Sequence, residues 1–310
     1  MVLYEQRGPW SDAGNSGCCS ILPKISSRLP LAVKARTVVK SRAARAFYSL
    51  FLGWRRNRIP WRSACLHLRA LLAARRRHGA ISFRGLRVHH VDMVSWYMEY
   101  KDIFEHRIYH FETDNPAPYI VDGGGYIGMS VLYFKSVYPD AKIVCFEPDE
   151  TIYGVLQSNI TANGLTNVNL IRAGLAAEEG IVSFLPDGAD GGKIVNADGR
   201  ISVPTVLLSD YLDAPVDFLK LNIEGQELPV LEETAARGRL RNVREMVVEY
   251  HGWASGEQRL GAILTLLDRE GFRYMVHDFD AASCGATKPP FHLTRQTTWF
   301  CLVYARRAVD

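Results

Sequence analysis

The chain has 310 residues, enough for one large α/β domain with an extension or for two small domains. Hydrophobic residues make up 47% and charged residues 23%, the balance of an ordinary soluble globular protein able to bury a sizeable core. The net charge of +4 excludes a strongly polyelectrolyte chain, but it is unevenly spread: before Asp92 the only acidic residues are Glu5 and Asp12.

The six cysteines include the adjacent pair Cys18-Cys19, and Cys65, Cys145, Cys284 and Cys301 follow without metal-type spacing. Cys145 and Cys301 lie in apolar runs, where a thiol acts as a small hydrophobe, and the pattern points to a reducing, cytoplasmic compartment. No segment has the length and apolarity of a bilayer span, and the N-terminus lacks the apolar stretch of a secretory signal.

Residues 1 to about 45 mix Gly, Pro, Ser and Arg without periodicity and read as poorly ordered. Ala46–Trp54 carries an i, i+3, i+4, i+7 stripe of Phe47, Leu50, Phe51 and Trp54. Trp61–His78 sets Trp61, Cys65, Leu68, Leu71 and Leu72 against five arginines. Such helices either pack their stripe on a domain, the preferred reading, or lie peripherally on an anionic membrane. No motif supports nucleic-acid binding.

From Ile81 the pattern changes. Ile81–Val88 reads as a strand or hairpin, and Ser95–His110 as a helix with aromatics on all sides, read as core in preference to a pocket wall. After the break at Asp114–Pro118, strands alternate with helices. The strands are Tyr119–Asp122, Lys142–Glu147, Val168–Ala173, Val216–Leu221 and Arg244–Tyr250. The helices are Ile127–Val137, Thr151–Asn163, Glu227–Arg237 and Glu257–Gly271. This order implies a parallel sheet wrapped by helices. Phe272–His277 and Thr298–Ala305, with no helix between them, read as an antiparallel edge hairpin. The Gly- and Asp-rich stretch 187–200 reads as an exposed hairpin loop.

The strand Tyr119–Asp122 runs into Gly123-Gly124-Gly125-Tyr126-Ile127-Gly128, where glycines allow a tight turn and close approach of a ligand. The Gly123-x-Gly125-x-x-Gly128 spacing also satisfies the dinucleotide fingerprint. Asp122 at the strand end can meet an ammonium group, and Glu147, closing the next strand before Pro148-Asp149, can accept from ribose hydroxyls. Ammonium plus ribose is the inventory of S-adenosylmethionine. A nicotinamide nucleotide would use Glu147 equally, but its pyrophosphate would find Asp122 a repulsive neighbour.

Three segments together resemble the FkbM-type methyltransferases: Val121-Asp-Gly-Gly-Gly-Tyr-Ile-Gly-Met-Ser130, Phe146-Glu-Pro-Asp149, and Leu219-Lys-Leu-Asn-Ile-Glu-Gly-Gln-Glu227. Asn159–Asn167, Val206–Leu212 and Val248–Gly252 extend the likeness over roughly residues 90 to 306. The resemblance implies a Rossmann-like class I methyltransferase fold, a mainly parallel seven-stranded sheet with an antiparallel edge hairpin and helices on both faces. It divides the chain into a basic extension, residues 1–80, and a methyltransferase domain, residues 81–310. It further implies S-adenosylmethionine as cofactor, held around Asp122, Gly123, Gly124, Gly125, Tyr126, Gly128, Ser130, Glu147, Pro148 and Asp149, and O-methylation of a sugar, glycolipid or natural-product hydroxyl. Tyr126 stands where the family usually has a small amide residue, and Asn222 where it has Asp.

Methyl transfer from a sulfonium is an in-line displacement that needs alignment and removal of the acceptor's proton. Reactants sit beyond the carboxyl ends of parallel strands, which brings together Asn222, Glu224, Glu249 and His251. His251 is the preferred general base, with Glu224 orienting it or taking the proton itself, and Asn222 holding acceptor or cofactor. Glu224-Gly225 capping the following helix, and a divalent cation on Glu224, Glu249 and His251, are the alternatives. Two other functions stay open: a nicotinamide-dependent oxidoreductase, and a methyltransferase-like binding module inactivated by Asn222.

Overall fold

The computed structural model describes residues 78–186, 192–195, 201–277, 294 and 298–308, all within the unit Ser41–Asp310. The expectations for residues 1–77 lie outside the described residues.

The described chain opens with a hairpin, β1 (Gly79–Phe83) and β2 (Leu86–His90). Its two-residue turn, Arg84-Gly85, has φ of 49° and 82°, the doubly positive geometry that matches the twist of paired strands. Asp92 then caps α1 (Met93–Glu99), accepting from the Val94 amide at 3.0 Å and from the Ser95 hydroxyl at 3.1 Å. The helix therefore starts earlier than the sequence suggested. It also changes winding, because Tyr100–Glu105 forms a π-helical segment. The single α-helix expected over Ser95–His110 is replaced by these two shorter pieces.

Next come β3 (Tyr119–Gly123), α2 (Met129–Val137), β4 (Lys142–Phe146), α3 (Glu150–Ala162) and β5 (Val168–Ile171). A small sheet interrupts the alternation: β6 (Gly174–Leu175), β7 (Gly180–Leu185), β8 (Lys193–Val195) and β9 (Ile201–Val206). The chain then returns through β10 (Val216–Leu221), α4 (Glu227–Ala236), β11 (Val243–Trp253), α5 (Leu260–Arg269), β12 (Phe272–His277) and β13 (Thr298–Arg307).

The main sheet has seven strands in the order β12-β13-β11-β10-β3-β4-β5. The strands β11, β10, β3, β4 and β5 are mutually parallel, and β13 runs antiparallel to both β11 and β12. The expected sheet and edge hairpin are both present. The small sheet, ordered β6-β9-β7-β8, was only partly foreseen, since the stretch read as a loop holds strand β8.

Strand periodicity explains why helices cover both faces. Ile120, Ile143, Phe218, Val247 and Leu302 point into one core with Leu132 and Phe134 of α2 and Leu156 of α3. Their chain neighbours Val121, Val144, Leu219, Val248 and Val303 point into a second core with Val230 and Leu231 of α4 and Ile263 and Leu267 of α5. Strands buried on both sides read as continuous apolar runs, as these do. Phe218 is fully buried and stacks on Phe111 at 4.5 Å, and burying such a side chain contributes about 1.5–3 kcal/mol. Cys145 and Cys301 are free thiols buried in the two cores.

Candidate active site

The chain leaves β3 toward one side of the sheet through β4 and β5, then crosses back to β10 and β11 on the other. That reversal opens a crevice beyond the carboxyl ends of β3 and β10, where open α/β sheets bind ligands. A cavity of about 550 Å³ occupies this place.

The floor is a buried ion pair that the sequence reading assigned differently. Asp122 and Lys220 face each other across paired β3 and β10, 2.9 Å apart between Oδ1 and Nζ. The Asp122 carboxylate is fully buried and also accepts from the Ser130 hydroxyl. Burial alone would favour a neutral amine, but the Asp122 charge and hydrogen bond outweigh it and hold the Lys220 ammonium above its ordinary range. Nζ also donates to the carbonyl oxygens of Gly124 at 2.7 Å and Gly123 at 3.3 Å, tying down the glycine loop. Asp122 lies just behind the cavity wall and anchors Lys220, which does line it.

The glycine loop divides likewise. Gly124 lines the cavity at φ +89°, and a methyl group there would overlap the Asn222 carbonyl oxygen. Gly123, Gly125 and Gly128 do not line it, and substituents on them would strike Leu175, Cys145 and Leu156 respectively. Their smallness serves packing. Tyr126, in the left-handed region at φ 44°, and Ser130 both reach the cavity wall.

Glu147 lines the cavity just past β4 and is fixed by two backbone donors, the amides of Tyr126 and Asp149, each at 2.9 Å. Burial nevertheless pushes its carboxyl up to about 7. A carboxylate offers about four acceptor positions, so hydroxyl donors from a ligand still find room on it. Pro148 and Asp149 also line the cavity, but the Asp149 side chain caps α3 by accepting from the Thr151 and Ile152 amides at 2.8 and 3.1 Å. It therefore starts the helix while standing in the cavity wall.

At the other end lie Asn222, Glu224, Glu249 and His251, brought together by β10 and β11 as expected. His251 Nε2 stands 3.4 Å from Glu224 and 3.7 Å from Glu249. The Asn222 side-chain oxygen is buried and has no hydrogen-bond partner among the described residues. Glu224 sits in the left-handed region at φ 54°, a sparsely populated conformation for a non-glycine residue that recurs at ligand-binding turns. The turn is held by Glu227, which accepts from the Ile223 and Gly225 amides at 3.0 and 2.9 Å. Glu227, and not Glu224, satisfies the backbone at the start of α4. Among the described residues, no group of three His, Cys, Asp or Glu side chains has an arrangement suited to a metal ion.

Three contributors had not been singled out as site residues. Tyr109 is buried and donates to Glu249 Oε2 at 3.0 Å, with burial and the Glu249 charge keeping its phenol protonated. Glu99 and Asp102, from α1 and the π segment, add carboxylates to the wall. The aromatics Trp96, Tyr97, Tyr100 and Phe104 of the same stretch are core, as preferred from the sequence. Among the described residues, the cavity is lined by Glu99, Asp102, Glu147, Asp149, Glu224 and Glu249 against Lys220 and His251, and Lys220 is already neutralised by Asp122.

This strand order, with an antiparallel strand inserted before the last edge and a cavity at the switch point, is the class I methyltransferase architecture. The family model for the methyltransferase FkbM domain matches residues 122–274. The chain is 31% identical over 212 residues to methyltransferase sdnD of Sordaria araneosa, covering 56% of this chain and 80% of that protein. It is 27% identical over 180 residues to 2-O-methyltransferase NoeI of Sinorhizobium fredii (strain NBRC 101917 / NGR234), covering 50% and 72%. A solved structure of methyltransferase FkbM from Methylobacillus flagellatus KT covers 85% of this chain and 59% of its own at 16% identity and a TM-score of 0.42. The chain belongs to the FkbM methyltransferase family.

Proposed function

We propose that this methyltransferase uses S-adenosylmethionine to methylate a hydroxyl of a sugar, glycolipid or natural-product acceptor. The observation that carries the reading is the charge of the cavity. Six carboxylates and no unpaired lysine or arginine line it among the described residues, which suits a cationic sulfonium with its ammonium group. The pyrophosphate of a nicotinamide nucleotide would meet the same carboxylates as repulsion.

The residues present fit the cofactor. Glu147 would accept from the ribose hydroxyls, with Pro148 and Ile152 beside the adenosine. Gly124 leaves its backbone open to close approach, and Glu99 and Asp102 would take the ammonium in place of the occupied Asp122. When bound, the sulfonium supplies an electrophilic methyl group and departs as a neutral thioether.

His251, Glu224 and Glu249 would then act on the acceptor. His251 Nε2 would take the hydroxyl proton of the acceptor as that oxygen is methylated. Glu224 and Glu249, within 3.4 and 3.7 Å, stabilise the imidazolium that forms. Tyr109, donating to Glu249 Oε2 at 3.0 Å, holds that carboxyl group in orientation. The Asn222 amide oxygen, buried without a partner among the described residues, would accept from cofactor or acceptor. The reducing, cytoplasmic setting is part of the same proposal, in keeping with the free thiols of Cys145 and Cys301.

Transfer of tritiated methyl from S-adenosylmethionine to a panel of hydroxylated acceptors tests the reading. Label should enter an ether linkage, and His251→Ala should cut the rate by about 10²–10⁴-fold. Label found on nitrogen or carbon, or full activity in His251→Ala, contradicts the assignment.

A further inference from the structure

The turn from β10 into α4 carries three residues of the cavity wall, Asn222, Ile223 and Glu224. Glu224 and Gly225 lie in the left-handed region at φ 54° and 98°. For a glutamate that backbone conformation persists only where the surroundings over-determine it. The turn is tied at its front to the glycine loop, the Asn222 amide donating to the Gly123 carbonyl at 3.0 Å. At its rear it is tied to Glu227. Glu227 Oε1 accepts from the Ile223 amide at 3.0 Å, and Oε2 accepts from the Gly225 amide at 2.9 Å. Oε1 also lies 3.2 Å from the Gly225 amide.

From this arrangement we infer that Glu227 is a positioning residue for methyl transfer: by clamping the amides on both sides of Glu224, it holds that carboxylate against His251. The inference rests on His251 being the proton acceptor. A carboxylate at a helix start ordinarily serves the helix's own first turn, but Glu227 reaches back past it to the residues flanking Glu224. It is 1% exposed and stands behind the turn, whereas Glu224 stands in the cavity wall. Glu224 Oε1 lies 3.4 Å from His251 Nε2. With the clamp gone, the Glu224 backbone is free to relax to an ordinary conformation, which carries its side chain away from the imidazole.

Glu227 also acts on His251 through its charge. Burial pushes the Glu227 carboxyl up, and the His251 charge and the amides it binds draw it back. Two substitutions separate clamp from charge. Glu227→Asp keeps the charge but, one methylene shorter, withdraws from the two amides. Glu227→Gln removes the charge but keeps an oxygen where Oε1 accepts from both. The other groups facing His251 are the Glu249 carboxylate at 3.7 Å and the rings of Trp253 and Phe300, with Lys193 5.2 Å from the Trp253 ring.

The test is an NMR pH titration of the full-length protein labelled with ¹⁵N-histidine, the His251 signals being assigned by their loss in His251→Ala. Glu227→Asp should lower the His251 midpoint by about half a unit or more, because Glu224 no longer faces the imidazole. Glu227→Gln should lower it less. In a Glu224→Ala background, adding Glu227→Asp should change nothing further. With a hydroxylated acceptor, Glu227→Asp should cut kcat about tenfold and leave KM for S-adenosylmethionine within about twofold. Binding of S-adenosylhomocysteine reports that each variant is folded. If Glu227→Asp does not fold, Glu227→Ala is read in its place with the same expectations. An unmoved midpoint, a larger shift in Glu227→Gln than in the clamp-breaking variant, or an undiminished shift on Glu224→Ala overturns the inference. Full methyl transfer by His251→Ala strikes the proton-acceptor reading instead.

Discussion

Tyr109 donates its phenolic hydrogen to Glu249 at 3.0 Å, joining the segment after the π turn to the strand that carries His251. Both residues are buried, and the other Glu249 oxygen faces the imidazole at 3.7 Å. Tyr109→Phe deletes only the donor. It should lower kcat by about tenfold while leaving KM for S-adenosylmethionine within about twofold, and cost about 1–3 kcal/mol of stability. It should also displace the pH–rate profile, a change that loss of packing alone would not produce. Steady-state kinetics across pH and urea denaturation measure the two effects.

The Asp122–Lys220 pair predicts a non-additive response. Lys220→Met leaves a buried carboxylate with no counter-charge and should destabilise by about 3–5 kcal/mol. Combining it with Asp122→Asn should cost clearly less than the two single changes added together. Simple additivity in urea denaturation would mean the pair is not coupled.

Glu147 makes the ligand-free protein sensitive to pH. Its carboxyl titrates near 7 when folded and near its ordinary 4.5 when unfolded. Below the lower value both states are protonated and nothing is lost. Between the two, only the unfolded state ionises, so stability should fall as pH rises toward 7, by on the order of 3 kcal/mol in all. Glu147→Gln should remove this slope, as measured by thermal unfolding from pH 4.5 to 8. Ribose hydroxyls favour the ionised form, so cofactor affinity should rise over the same interval.

The acidic wall separates two kinds of charge recognition. Glu99→Gln and Asp102→Asn, which the proposed reading sets against the ammonium, should weaken S-adenosylmethionine and S-adenosylhomocysteine alike. Glu249→Gln, which the same reading sets beside His251 where the methyl group is transferred, should weaken S-adenosylmethionine several-fold more than its neutral product. Calorimetric titration of both compounds into each variant makes the comparison.

Much of this site was legible because strand ends are legible. Apolar runs closed by Asp122, Glu147, Asn222 and Glu249 marked the carboxyl edge of the sheet, and the switch-point rule then gathered Glu224 and His251 beside them. The Lys220 partner of Asp122 went unread because a strand-end carboxylate looks the same whether it faces a ligand or a neighbouring strand. Lys220 was the missing signal: a lysine inside an apolar run must find a buried anion, and the β3–β10 register places Asp122 opposite it. The start of α1 at Asp92 was readable from Asp92-Met-Val-Ser95, a side-chain cap of ordinary spacing. The π segment was not, since aromatics on every face hide the helical period. Within the small sheet, β6 and β8 escaped because they are two and three residues long, too short for any alternation to declare itself.

The most direct measurement is calorimetric titration of the purified protein with S-adenosylmethionine, S-adenosylhomocysteine and NAD. The account predicts saturable one-to-one binding of both sulfur compounds, abolished by Gly124→Val, and none of NAD. Binding of NAD without either sulfur compound would contradict it.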